Sequence, residues 1–490
     1  MITRLVSRFK LIGVLVGAWA LGSPALAQMI VTPDAHAFGE AATDKTRDMT
    51  PFANPSGYAA TFSTAGFIDL ANPFFQSLGT NGRSCSTCHQ QSDGWTVTPS
   101  SVKRRFWETA GTDPIFRLND GANSPNADVG TVKARLAAYS MLLSKGLIRV
   151  GIGIPSNAEF ELVGVDDPYD FASARELSLF RRPLPSTNLN FLSTVMWDGR
   201  ETFKDPTSKT CIAGTSTCFA SIPFDLADQS NAATVGHAQG AQPLTQEQRE
   251  AIVAFETTLF TAQIFDGKAK QLTAKGAQGG PRYLAQQRSY FGINDVVYGD
   301  YRTRAPFDPN VFTLFRAWKH GGGDADDDGQ VVAARKAVAR GERLFDTKPI
   351  VITGVKGLND DLKIPALRGS CTTCHDAPGA GNHSIPAPLD IGLTDVSRRT
   401  PDMPLYRLRN KLTKETILTT DPGRALVTGK WQDIGRFKGP TLRALATRAP
   451  YFHNGFAKDL EAVVEFYNER FGVGFTDEEK ADLVAFLRTL

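Results

Sequence analysis

A chain of 490 residues that is 41% hydrophobic and 21% charged has an ordinary globular composition, with room for two or three domains. Its formal net charge of +3 is small for that length and gives no reason to expect nucleic acid or an anionic membrane as partner.

Residues 1–27 stand apart from the rest. Arg4, Arg8 and Lys10 precede an apolar run from Leu11 to Leu21, and Ala25-Leu26-Ala27 follows as a small-residue cleavage site. The pattern predicts a secretory signal peptide, a mature chain beginning near Gln28 and a periplasmic location. The apolar run is shorter than the about 20 residues of a spanning helix, and no later stretch reaches that length, so no membrane span is expected after cleavage. Residues 28–60 are polar and small, and read as an extended lead-in.

A helical pattern runs from Thr131 to Lys145, with Gly146 placed to end it. Thr245 and Gln248 form a capping box ahead of Ile252, Val253, Phe255 and Leu259. The C-terminus repeats this signal, with Thr476 and Glu479 as the box and Val484-Ala485-Phe486 where Val253-Ala254-Phe255 stood. Between the copies, Gly279-Gly280-Pro281 and Gly321-Gly322-Gly323 suit a linker. β-type alternation is scarce and short, so the predicted fold is mainly α, built from two related helical units.

Each unit carries one cysteine motif, Cys85-Ser86-Thr87-Cys88-His89 or Cys371-Thr372-Thr373-Cys374-His375. Two thiols three positions apart can add to the two vinyl groups on one edge of a haem, and the adjacent His is then directed at the iron. A zinc ribbon would bring its second pair within roughly 15–20 residues, and a thioredoxin-like pair needs no following His. The motifs therefore predict two covalently bound haem c groups, with Cys85, Cys88, Cys371 and Cys374 as attachment points and His89 and His375 as iron ligands. The corresponding domains are residues 61–262 and 336–490, joined by 263–335. Cys211 and Cys218 remain, and a short-loop disulfide is the default in an oxidising compartment.

With Met196-Trp197-Asp198-Gly199-Arg200 between the motifs and FKGPTLRALATRAPYFHNGFAKDLEAVVEFY from Phe437 to Tyr467 after them, the chain resembles the bacterial di-haem cytochrome c peroxidase family, and within it the MauG-type branch. The resemblance implies two cytochrome c-like domains with unequal haems. The N-terminal haem would meet hydrogen peroxide, the C-terminal haem would relay electrons, and Trp197 would lie between them; a buried core Trp is the plainer reading. The implied partners are hydrogen peroxide and a redox protein: a small cytochrome, a cupredoxin or a protein substrate.

The departures are specific. Where typical peroxidases place a Met ligand to the second haem, this chain has Tyr467, 14 residues beyond His453, as the MauG branch does. A phenolate ligand would stabilise oxidised iron, whereas Met raises the potential. A core tyrosine is the competing reading, and Met403, His383 and His453 are the other candidate ligands. No His lies between His89 and His237, so unless His237 coordinates, the first iron would be five-coordinate. The Glu that the family uses for proton transfer is missing. His237 stands nearest its place as a candidate proton shuttle, and Gln229 is a pocket candidate. The family also binds a calcium ion, through an Asn before the Trp and carbonyls near the APYFH motif, and here the Asn is replaced by Arg182. Asp324-x-Asp326-x-Asp328-Gly329 begins like an EF-hand but has Arg335 where a bidentate Glu is required. The expected function is peroxide-dependent oxidoreduction. A non-enzymatic di-haem electron carrier and a MauG-like protein-modifying oxidase are the alternatives.

Overall fold

Capping fixes where the long helices begin. The Thr245 hydroxyl accepts from Gln248 N–H at 3.2 Å while the Gln248 side chain accepts from Thr245 N–H at 3.0 Å, and the helix Gln246–Thr257 follows. The Thr476–Glu479 pair starts Asp477–Leu487 in the same way. The pattern from Thr131 forms two helices, Val132–Ala138 and Ser140–Lys145, broken at Tyr139 and closed by Gly146 at φ +63°. Asp328 serves as a helix cap, accepting from Gln330 N–H at the start of Gly329–Thr347. That helix packs on Asp477–Leu487 so closely that a Cβ at Gly341 would lie 1.9 Å from the Asp482 carbonyl oxygen. Phe312, Phe315, Trp318, Phe345 and Phe486 fill the core around the crossing.

The computed structural model describes residues 45–202, 204–205, 209–211, 218–322 and 328–490. The proposed signal peptide, most of the lead-in, and Asp324 and Asp326 lie outside these residues. The prediction of a mainly α fold is wrong: the protein is 31% helix and 18% strand, in several sheets. The largest sheet pairs Gly57–Ser63 with Leu259–Asp266, flanked by Phe52–Asn54 and Lys270–Gln271. A second joins Phe160–Asp166 to Leu405–Asn410 and Thr416–Thr419, so strands from both halves of the chain share one sheet. The strands escaped the periodicity reading for two reasons. Most are short, and Leu177–Arg181 is buried at every position, which abolishes alternation. Their partners are also remote, with Thr61 opposite Thr261.

Lys209–Cys211 and Cys218–Ala220 form a hairpin with Cys211 opposite Cys218; the side chains of this pair lie outside the described residues. Among the described residues no helix is long and apolar enough to cross a membrane.

Candidate active site: two cavities with a shared wall

Both cysteine motifs fold the same way. Cys85–Thr87 and Cys371–Thr373 are single 3₁₀ turns, each opened by a reciprocal Ser–Thr box, Ser84 with Thr87 and Ser370 with Thr373. The histidine that follows is fixed by a carbonyl six residues on. His89 Nδ1 lies 3.0 Å from Trp95 O and His375 Nδ1 lies 2.6 Å from Gly381 O. A carbonyl can only accept, so Nδ1 carries the proton and Nε2 keeps its lone pair, the state in which imidazole binds metal. Burial pushes both rings down to about 4, which keeps them neutral. Phe74 and Phe345 pack against the two rings at 6.3 and 6.1 Å between centroids.

Each motif opens on its own cavity. The first spans about 1630 Å³, space open to solvent included, and its wall includes Cys85, Cys88, His89, Trp197, Gln229 and His237. The second spans about 1440 Å³ on the same measure, with Cys371, Cys374, His375, Trp197, His453 and Tyr467 in its wall. None of the four motif cysteines is paired in a disulfide. Paired thiols, an imidazole with a free Nε2 and a large, mainly apolar chamber are the donor set that a covalent haem requires, so the residues at both sites fit that group.

The walls facing the motifs differ. In the first cavity, His237 caps the helix Ile222–Gly236, and its Nδ1 lies 2.5 Å from Asp120 Oδ2. Asp120 is paired in turn with Arg83. Burial pushes the Asp120 carboxyl up, but His237 and Arg83 outweigh it and hold the group below its ordinary value. The Asp120 contact makes Nδ1 the protonated nitrogen of a neutral His237, leaving Nε2 without a partner among the described residues. Glu256 also lines this cavity. It is 5% exposed, its Oε2 has no partner among the described residues, and burial pushes it up to about 7. The second cavity has no acid in its described wall. Tyr467 stacks on Phe471 and touches Phe466 and Phe452. Its hydroxyl has no hydrogen-bond partner among the described residues, and burial together with Cys374 and Cys371 pushes the phenol up.

Trp197 belongs to both walls, as do Lys438 and Pro440. Its Nε1–H donates to Arg182 O at 2.7 Å, and its ring meets His453 edge-on at 6.2 Å. Of the other candidate ligands, Met403 packs with Met141, Leu147 and Phe180 away from the second cavity, and His383 is paired with Asp376 at 3.3 Å. His453 is in the cavity wall, stacked on Phe437 at 4.0 Å. Asp120, Arg83 and Glu256 escaped the sequence reading. Only Glu256 left a trace, as a charged residue on the helix Gln246–Thr257 among the buried Ile252, Val253 and Phe255; Leu259, expected on that helix, opens the strand Leu259–Asp266 instead.

The chain is 30% identical over 143 residues to the cytochrome-c peroxidase IdrP1 of Pseudomonas sp. (strain SCT), covering 25% of this chain and 37% of that protein. It is 24% identical over 318 residues to the cytochrome c551 peroxidase of Nitrosomonas europaea, covering 60% of this chain and 78% of that one. The chain is a relative of the bacterial cytochrome c peroxidases. A further match is the cytochrome-c peroxidase IdrP2 of Denitromonas iodatirespirans, 30% identical over 141 residues, covering 27% of this chain and 38% of that protein. The alignments to the IdrP proteins thus span little more than a third of those relatives. No protein-family model matches. A solved MauG-like protein associated with microbial copper homeostasis overlaps 86% of this chain and 88% of its own, at 16% identity and a TM-score of 0.35, too loose a superposition to carry a conclusion.

Proposed function

We propose that this relative of the cytochrome c peroxidases is a periplasmic di-haem oxidoreductase that reduces hydrogen peroxide, or uses it to oxidise a partner protein. The observation that carries the reading is that the two CxxCH cavities share Trp197, while only the first has an imidazole oriented by a carboxylate. Covalent haem at each motif would supply the iron for O–O cleavage and storage for the electrons.

The chain's residues then divide the work. Cys85 and Cys88 would anchor the first haem and His89 would offer Nε2 to its iron; Cys371, Cys374 and His375 would do the same for the second. His237 Nε2 takes a proton from peroxide and returns it to the departing oxygen, a contribution of about 10²–10⁴-fold for a well-placed acid–base group. Asp120 holds the tautomer that makes Nε2 the acceptor. Gln229 borders the same space and orients the peroxide. Reduction to two waters consumes two electrons and two protons. Oxidising equivalents pass through Trp197, and the electrons enter at the second site from an external redox protein. Tyr467, in the wall of the second cavity, would be the further protein ligand to that iron, since a phenol this buried ionises only beside a cation.

The test is to mix the ferric protein with one equivalent of hydrogen peroxide and follow the haem absorbance on the millisecond scale. A rapid change is expected. An unchanged spectrum in both the ferric and half-reduced protein would sink the peroxidase reading and leave a two-haem electron carrier.

A further inference from the structure

Arg181, the last residue of the strand Leu177–Arg181, and Arg182 just after it are treated in opposite ways. Arg181 is neutralised, with bonds to Asp421 at 2.7 and 2.8 Å and to Asp198 at 2.6 Å. Arg182 is 5% exposed and forms no ion pair among the described residues. Its guanidinium donates instead to three main-chain carbonyls: Lys145 O at 2.8 Å, Val97 O at 2.9 Å and Arg448 O at 3.0 Å. Gly146 makes the space, since a Cβ there would stand 2.2 Å from Arg182 Nη1, and its φ of +63° is one that side chains rarely adopt. The main chain of Arg182 is engaged as well. Its N–H donates to His453 O at 2.6 Å, and its carbonyl accepts the Trp197 indole N–H at 2.7 Å.

Carbonyls converging from separate segments, with no carboxylate among them, are the donors a hard cation would use. Here a side chain of this protein supplies the cation. The calcium ion that the family resemblance implies does not fit these residues. Its Asn is Arg182, and Arg448, just before the Ala449-Pro450-Tyr451-Phe452-His453 segment, has its carbonyl committed to the guanidinium. A divalent ion added beside Arg182 and Arg448 would meet two like charges. Among the described residues no group of three or more His, Cys, Asp or Glu could hold a metal.

We propose that the Arg182 guanidinium is a built-in cation in the place of calcium, and that it is the positioning residue which fixes Trp197 between the two cavities and His453 in the wall of the second. The proposal rests on the reading of Trp197 as the bridge between two haems. Burial and the neighbouring Arg448 push Arg182 down only to about 10, so it stays charged at neutral pH.

The test measures the reduction potentials and spectra of both haems in the full, haem-loaded protein, in excess EGTA and in millimolar calcium. The two conditions are expected to agree; a potential that moves on chelation overturns the proposal. Arg182→Met is expected to slow electron passage between the haems by up to ~10²-fold, the scale of a small misplacement of a working group. Arg182→Lys, which keeps the charge but not the planar fork, is expected to fall between Met and wild type. A haem-loaded Arg182→Met protein with wild-type transfer also overturns the proposal. If that variant fails to load haem, the Lys variant provides the readout, and wild-type transfer in it counts against Arg182 equally. Potentials are measured without peroxide, so a wild type indifferent to both peroxide and calcium would refute the peroxidase reading and leave the built-in cation standing.

Discussion

The two cavities share a motif and differ in what faces it. Around Cys85–His89 and Cys371–His375 the same 3₁₀ turn, the same Ser–Thr box and the same Nδ1-to-carbonyl bond recur. Beyond that shell the first cavity has His237, Asp120, Gln229 and Glu256, while the second has Tyr467, Phe471 and Phe452 and no acid in its described wall. Attachment is thus a local property written in consecutive residues. Reactivity belongs to the opposite wall, whose parts come from separate segments: His237 and Asp120 lie 117 residues apart in the chain. A wall with a carboxylate-oriented imidazole can move protons, whereas one whose tyrosines and histidine stand beside no acid is suited to holding and tuning an iron.

The comparison breaks most visibly if one site is removed. Cys371→Ser with Cys374→Ser is expected to remove one of two covalent haems, read directly from the intact mass, while the first site still answers peroxide. Next in size, His237→Ala should slow the peroxide-induced absorbance change by about 10²–10⁴-fold. Asp120→Asn should cost about 10–100-fold, because it disturbs only the orientation of the ring. Equal rates in His237→Ala and wild type would remove the proposed asymmetry. Tyr467→Phe is expected to shift the spectrum of the second haem and raise its potential, leaving the first site's peroxide step unchanged in stopped-flow.

A smaller effect should appear in pH titrations of stability. The Glu256 carboxyl is raised by burial from an ordinary value near 4.5 to about 7, so the folded state favours its neutral form. That contribution is complete below about pH 4.5 and is lost as pH rises through 7, amounting to roughly 3 kcal/mol at most. Denaturant melts across this window should show the decline, and Glu256→Gln should flatten it. The smallest effects test the likeness of the two halves, since Thr245→Ala and Thr476→Ala should each cost about 1 kcal/mol by loss of one capping hydroxyl.

What the sequence by itself determined was everything carried by neighbours in the chain. The CxxCH motifs, both capping boxes and Gly146 as a helix end were legible because their partners lie within a few positions. Trp197, His237, Gln229 and Tyr467 were found through resemblance, and their distribution over two cavities became visible only in three dimensions. The strands were missed because a buried five-residue strand such as Leu177–Arg181 has no alternation to read. Asp120 beside His237, Glu256 in the first wall and the three carbonyls around Arg182 left almost no signal along the chain. Each depends on a charge leaving water, and only the tertiary structure decides which buried charge meets a partner and which does not.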